Sequence, residues 1–130
     1  MSWKTVRTVD FYSADDLLTD KEKEIRESVR RFVDSEIIPI VAGHYESGTF
    51  PSEIIPGLAE LGVFGATLPA EEGFPGMSQV AYGLIMQELE RGDSGIRSFA
   101  SVQSALVMFP IWRYGSKEQK QAWLPDLKSG

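Results

Sequence analysis

The chain has 130 residues, with 13 Lys plus Arg against 19 Asp plus Glu and a formal net charge of −6. That length suits a single hydrophobic core, and 42% AVILMFWYC with 25% charged residues is a soluble globular composition. The acidic balance removes the electrostatic drive for nucleic-acid binding, the absence of cysteine excludes disulfides and thiolate chemistry, and a lone histidine, His44, argues against a histidine-rich metal site or a Ser-His-Asp relay.

No membrane span is expected, because the longest apolar run, Ala105 to Trp112, falls far short of about 20 residues. The first ten residues lack an apolar signal core, and a cytoplasmic protein is expected. Residues 1–18 read as an irregular arm that Phe11, Tyr12, Leu17 and Leu18 pin to a core. Thr19-Asp-Lys-Glu22 is a capping box, and Ile25, Val29, Phe32, Val33 and Ile37 follow on one helical face. Pro39 should kink or end this helix, and Gly43 and Gly48 mark its exit. A second helix fits Ser52 to Leu61, stopped by Gly62. Residues 62–77 form a Gly- and Pro-rich loop in which only Val63 to Leu68 could be sheet-like. Ser78 caps a third helix to about Arg91, apolar nearly all round and so central. Asp93-Ser-Gly95 starts a fourth helix running to about Tyr114, and a second capping box, Ser116 to Gln119, opens a last helix through Trp123 or Leu127. The sum is an all-α antiparallel bundle of four to five helices behind an irregular N-terminal arm.

The fourth helix breaks its own pattern. At about 100° per residue, Arg97, Ser98, Ser101, Ser104, Ala105 and Met108 share an arc of about 120° on an otherwise apolar helix. Arg97 sits near the helix N-terminus, where the macrodipole disfavours a cation. With free N–H groups beside it, the guanidinium would make a receptor for a carboxylate or phosphate. The competing reading pairs Arg97 with Glu90 or Asp93 and treats the serines as small packing residues. Elsewhere, His44, Glu71 and Glu72 read as exposed, Trp112 and Trp123 as core or interface residues, and the i,i+2 spacing of Glu88 and Glu90 argues against an acid–base pair.

Four segments, Glu88 to Ser98, Ser101 to Met108, Tyr114 to Lys120 and Trp123 to Leu127, resemble the N-terminal helical domain of acyl-CoA dehydrogenases. Asp93-Ser-Gly-Ile-Arg-Ser98 with Ser101-Val-Gln-Ser104, and Asp10-Phe-Tyr12 with Asp16-Leu-Leu-Thr19, resemble the glutaryl-CoA dehydrogenase branch in particular. The resemblance implies a domain over residues 19–130, behind the arm of residues 1–18. In the family it is followed by a middle β domain and a C-terminal helical domain that hold FAD and a glutamate base. Neither the flavin-binding segments nor the base has a counterpart here, so no catalytic, cofactor-binding or metal-binding residue is expected in this chain, and the chain alone is expected to be inactive. The loop Glu71-Glu-Gly-Phe-Pro-Gly76 also departs from the family's usual double glycine. By resemblance, Arg97 and Ser98 contact the distal carboxylate of an acyl-CoA thioester, Ser101 and Glu90 line the same pocket, and Leu106 is an apolar wall. The complete enzyme would dehydrogenate and decarboxylate glutaryl-CoA to crotonyl-CoA as a homotetramer serving an electron-transfer flavoprotein. The alternatives are a dehydrogenase for another acyl chain, or a stand-alone helical interaction module without catalysis.

Overall fold

The computed structural model describes residues 12–130, so the arm expected over residues 1–18 lies partly outside the described residues. The helices are α1 (Asp20–Phe32), α2 (Ile38–Ser47), α3 (Ile55–Glu60), α4 (Gln79–Gly92), α5 (Ser94–Ser101), α6 (Phe109–Tyr114) and α7 (Lys117–Ser129). Two π-helical segments, Val33–Ile37 and Val102–Met108, join α1 to α2 and α5 to α6 without a break, which leaves five continuous rods and no strand among the described residues. The all-α bundle expected from the sequence is what forms.

Both capping boxes close as their spacing predicts. The Thr19 hydroxyl accepts from the Glu22 N–H at 3.3 Å while the Glu22 carboxylate accepts from the Thr19 N–H at 3.0 Å, and Ser116 and Gln119 repeat the exchange at the head of α7. Glu22 also accepts from the Ser78 hydroxyl at 2.7 Å, tying the start of α1 to the cap of α4. Before α1, a single 3-10 turn, Ala14–Leu17, is held by Asp15, whose carboxylate takes two hydrogen bonds from Arg26 at 2.6 and 3.0 Å.

Pro39 does not end the first rod; the helix runs through it to Ser47 and stops at Gly48, which takes the left-handed conformation at φ 66°. Proline lacks an N–H, and its ring collides with the carbonyl four residues back in a regular α-helix. The residue four back is Ser35, inside the first π segment, where the widened backbone relieves that collision. Pro110 stands in the same relation to Leu106 in the second π segment.

The core is one cluster. Val29, Val33 and Ile37 of the first rod meet Ile85 and Leu89 of α4, and Ile96, Ala100 and Met108 close it from the other side. The loop after α3 supplies Val63, Phe64, Ala66 and Leu68, all buried. This segment is a run of turns rather than a strand, because Gly62 and Gly65 both adopt positive φ (71° and 67°), which interrupts an extended backbone. Its backbone finds partners elsewhere: Met77 N–H donates to Ala66 and Gly76 N–H to Leu68.

Candidate functional site

Asp93, with an extended backbone, separates α4 from α5 and caps α5 through a 2.9 Å bond from the Ile96 N–H to its carboxylate. The Arg97 N–H goes to the Asp93 carbonyl at 3.1 Å. Two of the N–H groups expected free beside Arg97, its own and that of Ile96, are therefore taken by Asp93, whose carboxylate caps that helix end.

The tight α4–α5 turn swings Arg97 against the last turn of α4. Arg97 Nε donates to Glu90 Oε2 at 2.6 Å, and both side chains reach solvent, at 35% and 50% exposure. No hydrogen bond among the described residues engages the terminal nitrogens of Arg97. Tyr82 of α4 lies within reach of this charge. Burial pushes its phenol up, and Arg97 opposes the shift. Ser98 is half-buried, and Ser101 Oγ donates to its carbonyl at 3.0 Å, a bond within the helix. Leu106 is 69% exposed. The structure thus brings Arg97 to Glu90 and Ser101 to Ser98, on an open face. The 670 Å³ groove between the first rod and α3, lined by Phe32, Glu36, Glu53, Gly57 and Leu61 among others, includes none of the five residues.

The six-residue stripe does not survive intact. Ser104 and Met108 are buried, at 6% and 0% exposure, whereas Ala105 faces out. The 100° count fails because residues 102–108 are π-helical and turn less per residue. Ser104 is a core contact: its hydroxyl donates to the Val63 carbonyl at 2.9 Å and accepts from the Gly65 N–H at 3.3 Å.

Sequence reasoning missed the role of Glu88, which is 1% exposed. Arg30 grips it with two bonds, at 3.1 and 2.7 Å, and Arg91 adds one at 2.9 Å while bridging to Asp34 at 2.8 Å. Burial alone would raise the Glu88 carboxyl, but the two guanidinium groups outweigh it and hold the pKa below the ordinary carboxylate value. The signal was present in the sequence: Glu88 falls on the same face of α4 as Ala81, Ile85 and Leu89. Glu90 points to solvent, so the two glutamates do not pair. His44, expected exposed, is half-buried between Thr49 (2.8 Å) and Glu53 (3.0 Å), and Glu72 accepts from the Trp112 indole at 3.0 Å. Trp112 packs on the core and Trp123 is half exposed.

Among the described residues the two buried polar side chains, Glu88 and Ser104, are engaged by protein partners, and the one buried side-chain atom without a hydrogen bond, Arg26 Nε, belongs to the guanidinium that binds Asp15. Among the described residues no group of three or more His, Cys, Asp or Glu could hold a metal ion, and no helix is long and apolar enough to cross a membrane.

Residues 19–130 match the family described as "Acyl-CoA dehydrogenase, N-terminal domain". The fold superimposes on a glutaryl-CoA dehydrogenase from Mycobacterium smegmatis, solved in complex with FADH2, with a TM-score of 0.86 and 49% identity over 91% of this chain and 30% of that one. The bovine mitochondrial short-chain specific acyl-CoA dehydrogenase is 31% identical over 98% of this chain and 30% of its own length. The (2S)-methylsuccinyl-CoA dehydrogenase of Cereibacter sphaeroides is 41% identical over 85% of this chain and 20% of its own length. The chain therefore spans less than a third of the length of these relatives.

Proposed function

The chain belongs to the acyl-CoA dehydrogenase N-terminal domain family, and we propose that it is the substrate-facing helical domain, residues 19–130 behind an arm of residues 1–18, of a flavin-dependent dehydrogenase acting on glutaryl-CoA. The observation that carries the reading is the state of Arg97. Glu90 holds its Nε at 2.6 Å and leaves the two terminal nitrogens without a bond, a fork suited to a carboxylate. An exposed ion pair of this kind contributes at most about 1 kcal/mol, so a substrate carboxylate competes with Glu90 at little cost.

In this reading Arg97 and Ser98 bind the distal carboxylate, Ser101 and Glu90 complete the polar end, and Leu106 lies along the acyl chain. The chain's contribution is orientation: fixing the far end of the acyl group sets where its α and β carbons lie. FAD, the glutamate base, the decarboxylation to crotonyl-CoA, the electron-transfer flavoprotein, the homotetramer and a cytoplasmic location belong to the proposal for the whole enzyme, and no residue here carries a step through the flavin. The 49% identity to a glutaryl-CoA dehydrogenase supports the choice of substrate. The methylsuccinyl-CoA relative supports a second dicarboxylic thioester, (2S)-methylsuccinyl-CoA, as the alternative.

The test is the kcat/KM of the complete gene product on glutaryl-CoA, (2S)-methylsuccinyl-CoA and butyryl-CoA. Preference for a dicarboxylic thioester is expected. Preference for butyryl-CoA makes the protein a dehydrogenase for another acyl chain and removes the role given to Arg97.

A further inference from the structure

Ile96, Ala100, Ser104 and Met108 are all buried, at 1%, 0%, 6% and 0% exposure, and they recur at a uniform spacing of four. In a regular α-helix four residues overshoot a full turn by about 40°, so three such steps would carry Met108 about 120° away from Ile96. Keeping these four residues close to one line takes a wider helix, and the π segment Val102–Met108 supplies it over the second half of the run. Two residues hold the segment open. Pro110 has no N–H to return to the Leu106 carbonyl, and its ring excludes the regular α-helical path there. Ser104 is bonded on both sides, to the Val63 carbonyl and from the Gly65 N–H, two backbone groups in a buried loop that has no ladder of its own.

The unwinding that keeps Ser104 and Met108 inside also straightens the outer face. The π turn takes back the drift that α5 accumulates, so Ala105 returns toward the line of Arg97 and Leu106 toward that of Ser98. The polar end at Arg97 and Ser98 therefore continues directly into an exposed apolar strip, with Val102 at 45% and Leu106 at 69% exposure. In an unbroken α-helix Leu106 would lie about 80° round from Ser98.

We infer that the π segment is a positioning element for the acyl site, with Ser104 and Pro110 as its positioning residues. It brings the carboxylate-binding end and the apolar wall onto one line, so that a single extended acyl chain touches both. The inference rests on the reading of Arg97 as the carboxylate receptor.

The test uses the complete enzyme and two readouts, melting temperature and the ratio of kcat/KM on glutaryl-CoA to that on butyryl-CoA. Pro110→Ala removes a helix-interior proline, so its melting temperature should hold or rise, while the ratio falls about tenfold, mainly through KM for glutaryl-CoA. Ser104→Ala should lower both the ratio and the melting temperature. The double variant Ser104→Ala/Pro110→Ala, which keeps neither restraint, should show the largest loss of selectivity. A selective wild type whose double variant keeps its ratio within about twofold overturns the inference and leaves the reading of Arg97 standing. A wild type indifferent to the distal carboxylate overturns that reading, and the inference with it.

Discussion

At the level of single residues, two charges on either side of the α4–α5 turn behave in opposite ways. Arg97 is half open and held by one bond, so its removal should be felt by the ligand rather than by the fold. Losing a charged partner of a bound carboxylate costs about 2–5 kcal/mol. In the complete enzyme Arg97→Ala should therefore lower kcat/KM on glutaryl-CoA by about 30-fold or more while leaving butyryl-CoA nearly unchanged. Arg97→Lys keeps the charge without the two-pronged geometry and should fall between the two. Equal losses on both substrates would return Arg97 to the role of a surface partner for Glu90. Glu88 is the reverse case, a buried carboxylate between Arg30 and Arg91. Glu88→Gln should destabilise by about 2 kcal/mol in urea unfolding, below the value for a fully buried pair because both guanidinium groups reach water. Its folded pKa is depressed, so the pair's stabilisation is present above the unfolded carboxylate pKa and lost as pH falls through the folded value. The wild type should lose stability over that acid range faster than Glu88→Gln does.

At the level of elements, α4 carries two glycines whose replacement should act with opposite sign. An alanine Cβ at Gly83 meets nothing within 4 Å, so Gly83→Ala should stabilise by about 0.5–1 kcal/mol through helix propensity and a restricted unfolded chain. At Gly92 the same Cβ would lie 2.7 Å from Val33 and 3.2 Å from Ile37, both fully buried at the first π segment. Overpacking there costs about 1–3 kcal/mol and outweighs the propensity gain, so Gly92→Ala should unfold at lower urea. If both variants shift the midpoint the same way, close packing of α4 on the first rod is not what selects glycine at position 92. The helix starts were legible because caps are local: Thr19, Ser78, Asp93 and Ser116 each bond a backbone N–H within three residues. The π segments were not, because a proline inside a helical pattern reads equally as an end, a kink or a widened turn, and packing on both sides of Pro39 and Pro110 selects the last.

At the level of the whole molecule, Val102, Leu106, Phe109 and Trp123 are large apolar side chains left open to solvent. The isolated chain should self-associate with rising concentration in sedimentation equilibrium, and Leu106→Glu should reduce that association. The purified chain should also be colourless after desalting and inactive on acyl-CoA thioesters; a retained flavin spectrum would show that these residues make a flavin site after all.

Local chemistry in the sequence determined the all-α class and four caps, since capping and amphipathic spacing act within a few residues of chain. Phase and partnership were decided only by the tertiary structure. Ser104 and Met108 turn inward because a widened helix, not a 100° wheel, fills the space above the Val63–Leu68 loop. Glu88 lies on the inward face of α4, but its partner is settled only when α1 packs on α4 and brings Arg30, 58 residues away in sequence, beside it. Such contacts depend on which rods meet, and no periodicity within one segment encodes its neighbour.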